Sequence, residues 1–153
     1  MTGLPITPVA FVRGGRSVPE DDNWGRERAV IELAETLPPE ALAGLDAFSH
    51  AEIIFQFHLV PDNKIETGAR RPRGNPDWPM VGIFAQRGKN RPNRIGVTVC
   101  RIVSVSGRRI EVEGLDAIDG TPVLDIKPVM AEFLPRGEIR QPDWSSELMK
   151  DYW

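Results

Sequence analysis

The feature that most constrains the fold is an alternation of side chains over residues 49–60. Apolar side chains recur at every second position, the period of a β-strand with one buried face. One face of this predicted strand carries Ile53, Phe55, Phe57 and Leu59, and the other carries Ile54, Gln56, His58 and Val60. Pro61 ends the run, because proline cannot donate to a strand ladder.

Shorter apolar runs flank this strand, and they too predict strands. They cover residues 4–13, 28–33, 80–85, 95–105, 108–115 and 121–130. The first run contains prolines, which places it at a sheet edge. Ser106 and Gly107 are predicted as a two-residue hairpin turn. Residues 62–78 are predicted as a long loop, and short helices are predicted to begin at Pro38 and Trp144.

The composition agrees with a mainly β protein, because 14 glycines and 14 prolines favour many turns over long helices. A length of 153 residues suits one domain, residues 1–153. We therefore predict one small antiparallel barrel or sandwich with one or two short helices. Cys100 is the single cysteine, so no disulfide can form within the chain. With no signal peptide and no run of the ~18 apolar residues that a membrane helix needs, a cytoplasmic protein is expected.

Charge is distributed unevenly along the chain. The formal net charge is −3, but residues 64–109 contain 11 Lys and Arg against two acids, Glu66 and Asp77. Such asymmetry is typical of a protein with an anionic partner, although a solvated charged face explains it equally well. The sequence has no dinucleotide-binding Gly-x-Gly-x-x-Gly, no P-loop and no nucleophile elbow. His50, His58 and Cys100 are too few for a usual zinc site, so no metal is expected.

Three longer motifs remain. Arg-Arg-Pro-Arg-Gly occupies residues 70–74, and Val-Gly-Ile-Phe-Ala-Gln-Arg at 81–87 is followed by Arg-Pro-Asn-Arg-Ile-Gly at 91–96. Leu-Asp-Ala-Ile-Asp-Gly-Thr-Pro-Val-Leu-Asp-Ile-Lys-Pro occupies residues 115–128. In order and spacing, these motifs resemble the TsaA-like domain of the TrmO family of tRNA adenosine methyltransferases. The resemblance covers about residues 5–135 and leaves a helical tail at 136–153.

The resemblance implies a small antiparallel β-barrel that binds S-adenosylmethionine, usually as a homodimer. It also implies methylation of threonylcarbamoyl-adenosine next to the anticodon of tRNA. By motif match, the expected cofactor contacts are His58, Leu59, Arg87, Gly114, Leu115, Asp116 and Ala117, with Trp24 and Gly25 on a looser alignment.

Roles follow from the residue types. Arg87 suits the carboxylate of the cofactor's amino-acid end, because guanidinium binds carboxylate through two parallel hydrogen bonds. Asp116 suits the ammonium group or a ribose hydroxyl. Methyl transfer depends mostly on alignment, and the candidates for a proton acceptor are Asp116, Asp119 and His58. Without the resemblance, Arg87 would be read as a surface arginine and Asp116 as a turn acid.

The basic residues have two interpretations as well. Arg70, Arg71, Arg73 and Lys89 are predicted to contact RNA phosphates. Arg91 and Asn93 are predicted to shape the pocket or the dimer instead. Trp78 or Phe84 is suited to stacking on a base.

Three departures from the family pattern weaken the substrate assignment. Arg94 replaces a proline, Val129 replaces a tyrosine, and the C-terminal domain of some family members has no counterpart here. Two alternatives therefore stay open: a non-catalytic module that binds S-adenosylmethionine, and a methyltransferase acting on a small molecule.

Overall fold

Six strands close into a barrel in the computed structural model, which describes residues 3–153. The strands of the chain are β1 (Ala10–Arg13), β2 (Arg28–Leu33), β3 (His50–Gln56), β4 (Ala69–Arg70), β5 (Val81–Gly82), β6 (Ile95–Ser106), β7 (Arg109–Glu113) and β8 (Pro122–Pro128). The order around the barrel is β1-β2-β7-β6-β3-β8, with every pair antiparallel. β4 and β5 form a two-stranded antiparallel sheet of their own. The predicted antiparallel barrel is confirmed.

The barrel interior is filled by one face of each long strand. On β3 the buried positions are Ala51, Ile53 and Phe55, which alternate with half-buried neighbours as predicted. β2, β7 and β8 add Ile31, Ile110, Val112 and Val123, each 0% exposed. The alternation fails beyond β3, because the strand ends at Gln56 and leaves Leu59 exposed and Val60 buried.

Gly96 on β6 lies opposite Phe55 on β3. A methyl group on Gly96 would lie 2.7 Å from Phe55 Cζ and 2.8 Å from Phe57 Cζ. The two phenylalanine rings pack edge to face, with centroids 5.3 Å apart. Glycine is needed here because the rings occupy the space in which a side chain would stand.

The prediction that the first strand lies at an edge is wrong. β1 is shorter than predicted, starts at Ala10 after the prolines, and pairs with β2 on one side and β8 on the other. A closed barrel leaves β1 no free edge.

Two other local predictions need correction. Ser106 pairs with Arg109, so the hairpin turn between β6 and β7 is Gly107 and Arg108, one residue later than predicted. Gly107 takes a φ of +58°, which glycine adopts without strain. The strand predicted at residues 80–85 is confined to Val81–Gly82, because the chain then turns into a 3₁₀-helix at Ile83–Ala85.

Helix is confined to short segments. The residues after Pro38 form a 3₁₀-helix, Pro39–Leu42, and α1 covers Asp143–Leu148 instead of the predicted residues 144–153. Further 3₁₀-helices lie at Leu45–Ala47, Asp62–Lys64, Pro72–Gly74, Pro92–Arg94 and Ala131–Phe133. Within residues 3–153, no helix has the length and apolar character needed to cross a membrane.

Ion pairs cross the outer face of the barrel. Glu113 on β7 accepts from Arg28 on β2 at 3.0 Å and pairs with Arg101 on β6 at 3.2 Å. The hydrogen bond from Arg28, followed by that from Arg101, lowers the pKa of Glu113 below its usual 4.5.

Candidate functional site

The loop after β7 places four of the predicted cofactor residues, at positions 114–117, at one end of the barrel. Gly114 has a φ of +86°, and its N–H donates to the Glu27 carbonyl at 2.9 Å. Leu115 and Ala117 are 2% and 5% exposed and belong to the core, whereas Asp116 between them is half-buried. Of residues 114–117, only Asp116 has a polar side chain, and that side chain lies outside the core.

The Asp116 carboxylate has two hydroxyl donors. One oxygen accepts from Thr98, a buried residue of β6, and the other accepts from Tyr152 near the end of the chain. Burial raises the pKa of Tyr152 above its usual 10.0, and the neighbouring Asp116 charge raises that pKa further. The Tyr152 hydroxyl therefore stays protonated at neutral pH and donates a hydrogen bond to Asp116.

Arg87 reaches the same place from the long basic motif. Its guanidinium donates to the carbonyl of Val97 at 2.9 Å, and Val97 is the β6 residue before Thr98. Arg87 and Arg73 both act to lower the pKa of Tyr152, against the larger effects of burial and Asp116. A cation and an anion from motifs far apart in sequence thus act on the pKa of one hydroxyl group, in opposite directions.

Trp24 and Gly25 form a second wall of this site. Trp24 is 3% exposed, its indole N–H donates to the Glu20 carbonyl at 3.1 Å, and the Arg16 guanidinium lies 4.1 Å from its ring centroid. A methyl group on Gly25 would lie 2.9 Å from the backbone carbon of Trp153. Trp24 is thus part of the scaffold, and Gly25 is the surface against which the end of the chain packs.

His58 and Asp119 lie beside the turn that follows Asp116. A methyl group on Gly120 would lie 3.9 Å from His58 Nε2. The exposed Asp119 carboxylate accepts from the Gly14 N–H at 2.8 Å, and the Asp119 N–H donates to the Arg16 carbonyl at 2.7 Å. These bonds give Asp119 a structural role in joining two loops. Leu59, next to His58, is 59% exposed.

Two of the four predicted RNA-contacting residues are engaged within the protein. Arg73 pairs with Asp22 at 3.0 Å. Arg71 donates to the Trp78 and Pro76 carbonyls at 2.5 and 3.3 Å. Both contacts shape the long loop over residues 62–78.

Arg70 and Lys89 differ from that pair. Arg70 is half-buried, and its Nε has no hydrogen-bond partner within residues 3–153. Lys89 is exposed and forms no ion pair in that same stretch. Lys89 is therefore the most available of the four to an external phosphate.

Thr98 and Tyr152 were missed by the sequence interpretation. Thr98 lies in an ordinary strand, and only the barrel register brings it to Asp116. Tyr152 lies beyond the motifs, in a tail whose docking place no local pattern predicts. No group of three or more metal-ligating side chains is found among the residues described.

A comparison with known proteins identifies the family. Residues 13–133 match the family described as the tRNA-methyltransferase O N-terminal domain. The chain belongs to this family. The match covers the barrel from the end of β1 through β8, and it includes Arg87 and Asp116 but not Tyr152.

Relatives of the tRNA-methyltransferase O family align over most of the chain. The human tRNA (adenine(37)-N6)-methyltransferase is 39% identical over 118 residues, which cover 75% of this chain and 26% of that protein. A protein of Rhizobium radiobacter, "Probable S-adenosyl-L-methionine-binding protein VirR", is 37% identical over 101 residues, 66% of this chain and 55% of that protein. The crystal structure of TrmO from Pseudomonas aeruginosa superposes with a TM-score of 0.72 at 28% identity, covering 94% of this chain and 62% of that one.

The alignments cover only part of each of these relatives. The chain spans about a quarter of the length of its mammalian relatives and about half of VirR. The shared part is the barrel that carries the site.

Proposed function

We propose that the chain binds S-adenosylmethionine at the site around Asp116 and transfers its methyl group to the N6 atom of adenosine 37 in tRNA. The observation that carries this proposal is that neighbouring residues of β6 hold both side chains, because Arg87 donates to the Val97 carbonyl and Asp116 accepts from the Thr98 hydroxyl. Relatives that share this barrel are named as tRNA (adenine(37)-N6)-methyltransferases. Following the sequence resemblance, the acceptor base is threonylcarbamoyl-adenosine.

The charges of the site suit the amino-acid end of the cofactor. Arg87 is exposed and uses one N–H on the Val97 carbonyl, so its guanidinium retains further donors for a carboxylate. Asp116 accepts hydrogen bonds only and suits the ammonium group or a ribose hydroxyl. Gly25 and Gly114 lie side by side, since a methyl group on Gly114 would lie 3.6 Å from the Gly25 carbonyl. Two glycines at this point allow a flat ligand to approach the backbone.

When bound, the cofactor supplies the methyl group, and the chain supplies alignment and a proton acceptor. Of the three candidates for the acceptor, Asp119 is the least suited, because its carboxylate already accepts from Gly14. Asp116 is assigned to cofactor binding. We therefore propose His58 as the acceptor, since imidazole is a common general base and the His58 Nε2 atom lies beside Gly120, in the turn that follows Asp116.

RNA binding is proposed for the basic segment around this site. Lys89 is the leading candidate for phosphate contact, Arg70 and Arg71 follow, and Arg73 supports the loop through Asp22. Phe84 is 78% exposed on a short 3₁₀-helix and suits base stacking better than Trp78, whose indole N–H donates to Glu147 at 2.8 Å. A homodimer in the cytoplasm is proposed on the sequence resemblance alone, and light scattering would measure the assembly.

The test is a methyl-transfer assay on tRNA that carries threonylcarbamoyl-adenosine, read by mass spectrometry of the digested nucleosides. Arg87→Ala is expected to abolish cofactor binding by calorimetry and hence methylation. Arg87→Lys should retain cofactor binding only in part, because lysine keeps the charge but not the paired donors. Arg109→Ala is the matched control, since Arg109 is an exposed arginine at the opposite end of β7, paired with Glu32 at 2.9 Å. Full binding by a folded Arg87→Ala variant would remove Arg87 from the site.

A second candidate is cofactor binding without turnover. One structural observation favours it: both oxygens of Asp116 already accept hydrogen bonds from the protein itself, from Thr98 and Tyr152, which makes this carboxylate a poor proton acceptor for the reaction. Formation of S-adenosylhomocysteine only when tRNA is present would exclude this candidate.

A further inference from the structure

Residues 143–153, here called the strap, pack across the site. The strap accepts backbone hydrogen bonds from Asn23 and Trp24, at its Asp151 and Tyr152 carbonyls, at 2.9 and 2.8 Å. Its Tyr152 hydroxyl donates to Asp116. At the other end of the strap, the Trp78 indole N–H donates to the carboxylate of Glu147 on α1.

These contacts fall on the residues proposed to hold the cofactor. Tyr152 uses an oxygen of Asp116, and the Trp153 backbone lies against Gly25. Tyr152 also lies close enough to Arg87 for the guanidinium charge to affect its pKa. Asp116 and Gly25 are thus in contact with one short segment that lies outside the family match, and the charge of Arg87 acts on the same segment.

The strap is only lightly attached. Five of residues 143–153 are half-buried and none is fully buried, and every residue from 131 to 143 is exposed. Backbone hydrogen bonds of the connecting residues are local, as from Phe133 to the Met130 carbonyl. Exposed backbone with few buried contacts opens at low free-energy cost. The strap can therefore leave the site while the barrel stays closed.

We propose that the strap is a displaceable cover that competes with the cofactor for Asp116 and for the surface of Gly25. This inference depends on the proposed cofactor site. A hydroxyl or ammonium group of the ligand would replace the Tyr152 hydroxyl as donor to Asp116, so that no buried acceptor is left unpaired in either state. The apparent affinity is then the intrinsic affinity multiplied by the fraction of molecules with the strap undocked.

The opposite arrangement is a strap that forms a wall of the site and binds with the ligand. The two arrangements predict opposite effects of loosening the strap on ligand affinity. Loosening a competing strap raises ligand affinity, whereas loosening a wall lowers it or leaves it unchanged.

The experiment uses two variants of the full chain that loosen the strap at separate places. Tyr152→Phe removes the hydroxyl donor to Asp116, and Trp78→Phe removes the indole donor to Glu147 without touching a proposed cofactor residue. A hydrogen bond to a carboxylate shifts a docking equilibrium about 10- to 100-fold. We expect each variant to bind S-adenosylmethionine more tightly, by about threefold or more in calorimetry. Ile139→Ala, at a 68% exposed position of the connection, is the control and should bind as the parent does.

Hydrogen exchange gives a second readout that a merely structural role would not produce. The Asn23 and Trp24 amides, protected by the strap, should exchange faster when S-adenosylmethionine is added to the parent protein. Slower exchange, or weaker or unchanged binding by both variants, overturns the competing strap and leaves the cofactor site standing. Absence of binding by the parent and by every variant overturns the proposed cofactor site, and the strap inference with it.

Discussion

Two buried threonines allow the charge on Asp116 to be tested by stability alone. Thr98 and Thr121 are 7% and 2% exposed, and each hydroxyl donates one hydrogen bond. The acceptor for Thr121 is the neutral carbonyl of Ile118 at 2.7 Å, whereas the acceptor for Thr98 is the Asp116 carboxylate. Replacement by valine removes the same hydroxyl from both sites and keeps the side-chain shape.

The expected costs differ because hydrogen bonds to charged groups are stronger. A neutral hydrogen bond contributes about 0.5–1.5 kcal/mol and one to a charged group about 1.5–3 kcal/mol. For a chain of this size, each kcal/mol lowers the unfolding midpoint by about 2–4 °C. Thr98→Val should therefore lower the midpoint by about 3–12 °C, and Thr121→Val by about 1–6 °C.

Calorimetric melting at pH 7 and urea unfolding would both measure this difference. In an Asp116→Asn background, the cost of Thr98→Val should fall to that of Thr121→Val, because the acceptor is then neutral. Equal costs in the parent protein would refute the argument, since they would mean that Asp116 carries no charge or does not accept from Thr98.

Three further predictions concern the barrel itself. Burial, and to a lesser degree Asp116, raise the pKa of Cys100 to about 12, so thiol reagents at pH 8 should label it only after denaturation; rapid labelling of the folded protein would contradict this. Gly96→Ala should destabilise by about 1–3 kcal/mol in urea unfolding, because the new methyl group overlaps the Phe55 ring, and an unchanged midpoint would show that the rings move aside freely. The lowered pKa of Glu113 stabilises the folded state above pH 4.5, and this contribution is lost as the pH falls through the lowered value. The difference in unfolding midpoint between the parent and Glu113→Gln should therefore become smaller as the pH falls below 4.5. A difference that does not change with pH would show that the ion pairs of Glu113 do not cause it.

Strands with alternating side chains were predictable from the sequence. The buried face of β3 and the existence of β2, β6 and β7 follow from a two-residue period, which depends on burial alone. The error at β1 has a different origin, since the position of a strand in a sheet depends on pairing. A proline lacks the backbone N–H that donates to a neighbouring strand, but only at its own position. Pro5 and Pro8 precede the paired residues of β1, so they do not prevent its pairing. Nothing local shows that β8 returns to pair with Ala10.

The candidate site, too, was predictable only in part from the sequence. Arg87 and Asp116 were predicted by motif match, and the structure adds that consecutive residues of β6, Val97 and Thr98, each form a hydrogen bond with one of them. Tyr152 could not be found from sequence, because the docking of a tail depends on surfaces formed by distant loops. Assignment of residues 1–153 to one domain, and of each residue to a role in binding, stays a prediction.

Closure of the barrel by β8 has a consequence for synthesis of the chain. β1 and β3 each have a second neighbour in β8, which is the last of the six barrel strands to be translated, so neither strand is paired on both sides until β8 has left the ribosome. At about 5–20 residues per second, roughly 6–25 s separate translation of β1 from that of β8. During this time two strand edges offer unpaired backbone groups to other nascent chains. β8 then pairs with both edges and closes the barrel. Slow or faulty translation of β8 would therefore prolong the time during which both edges are open to aggregation.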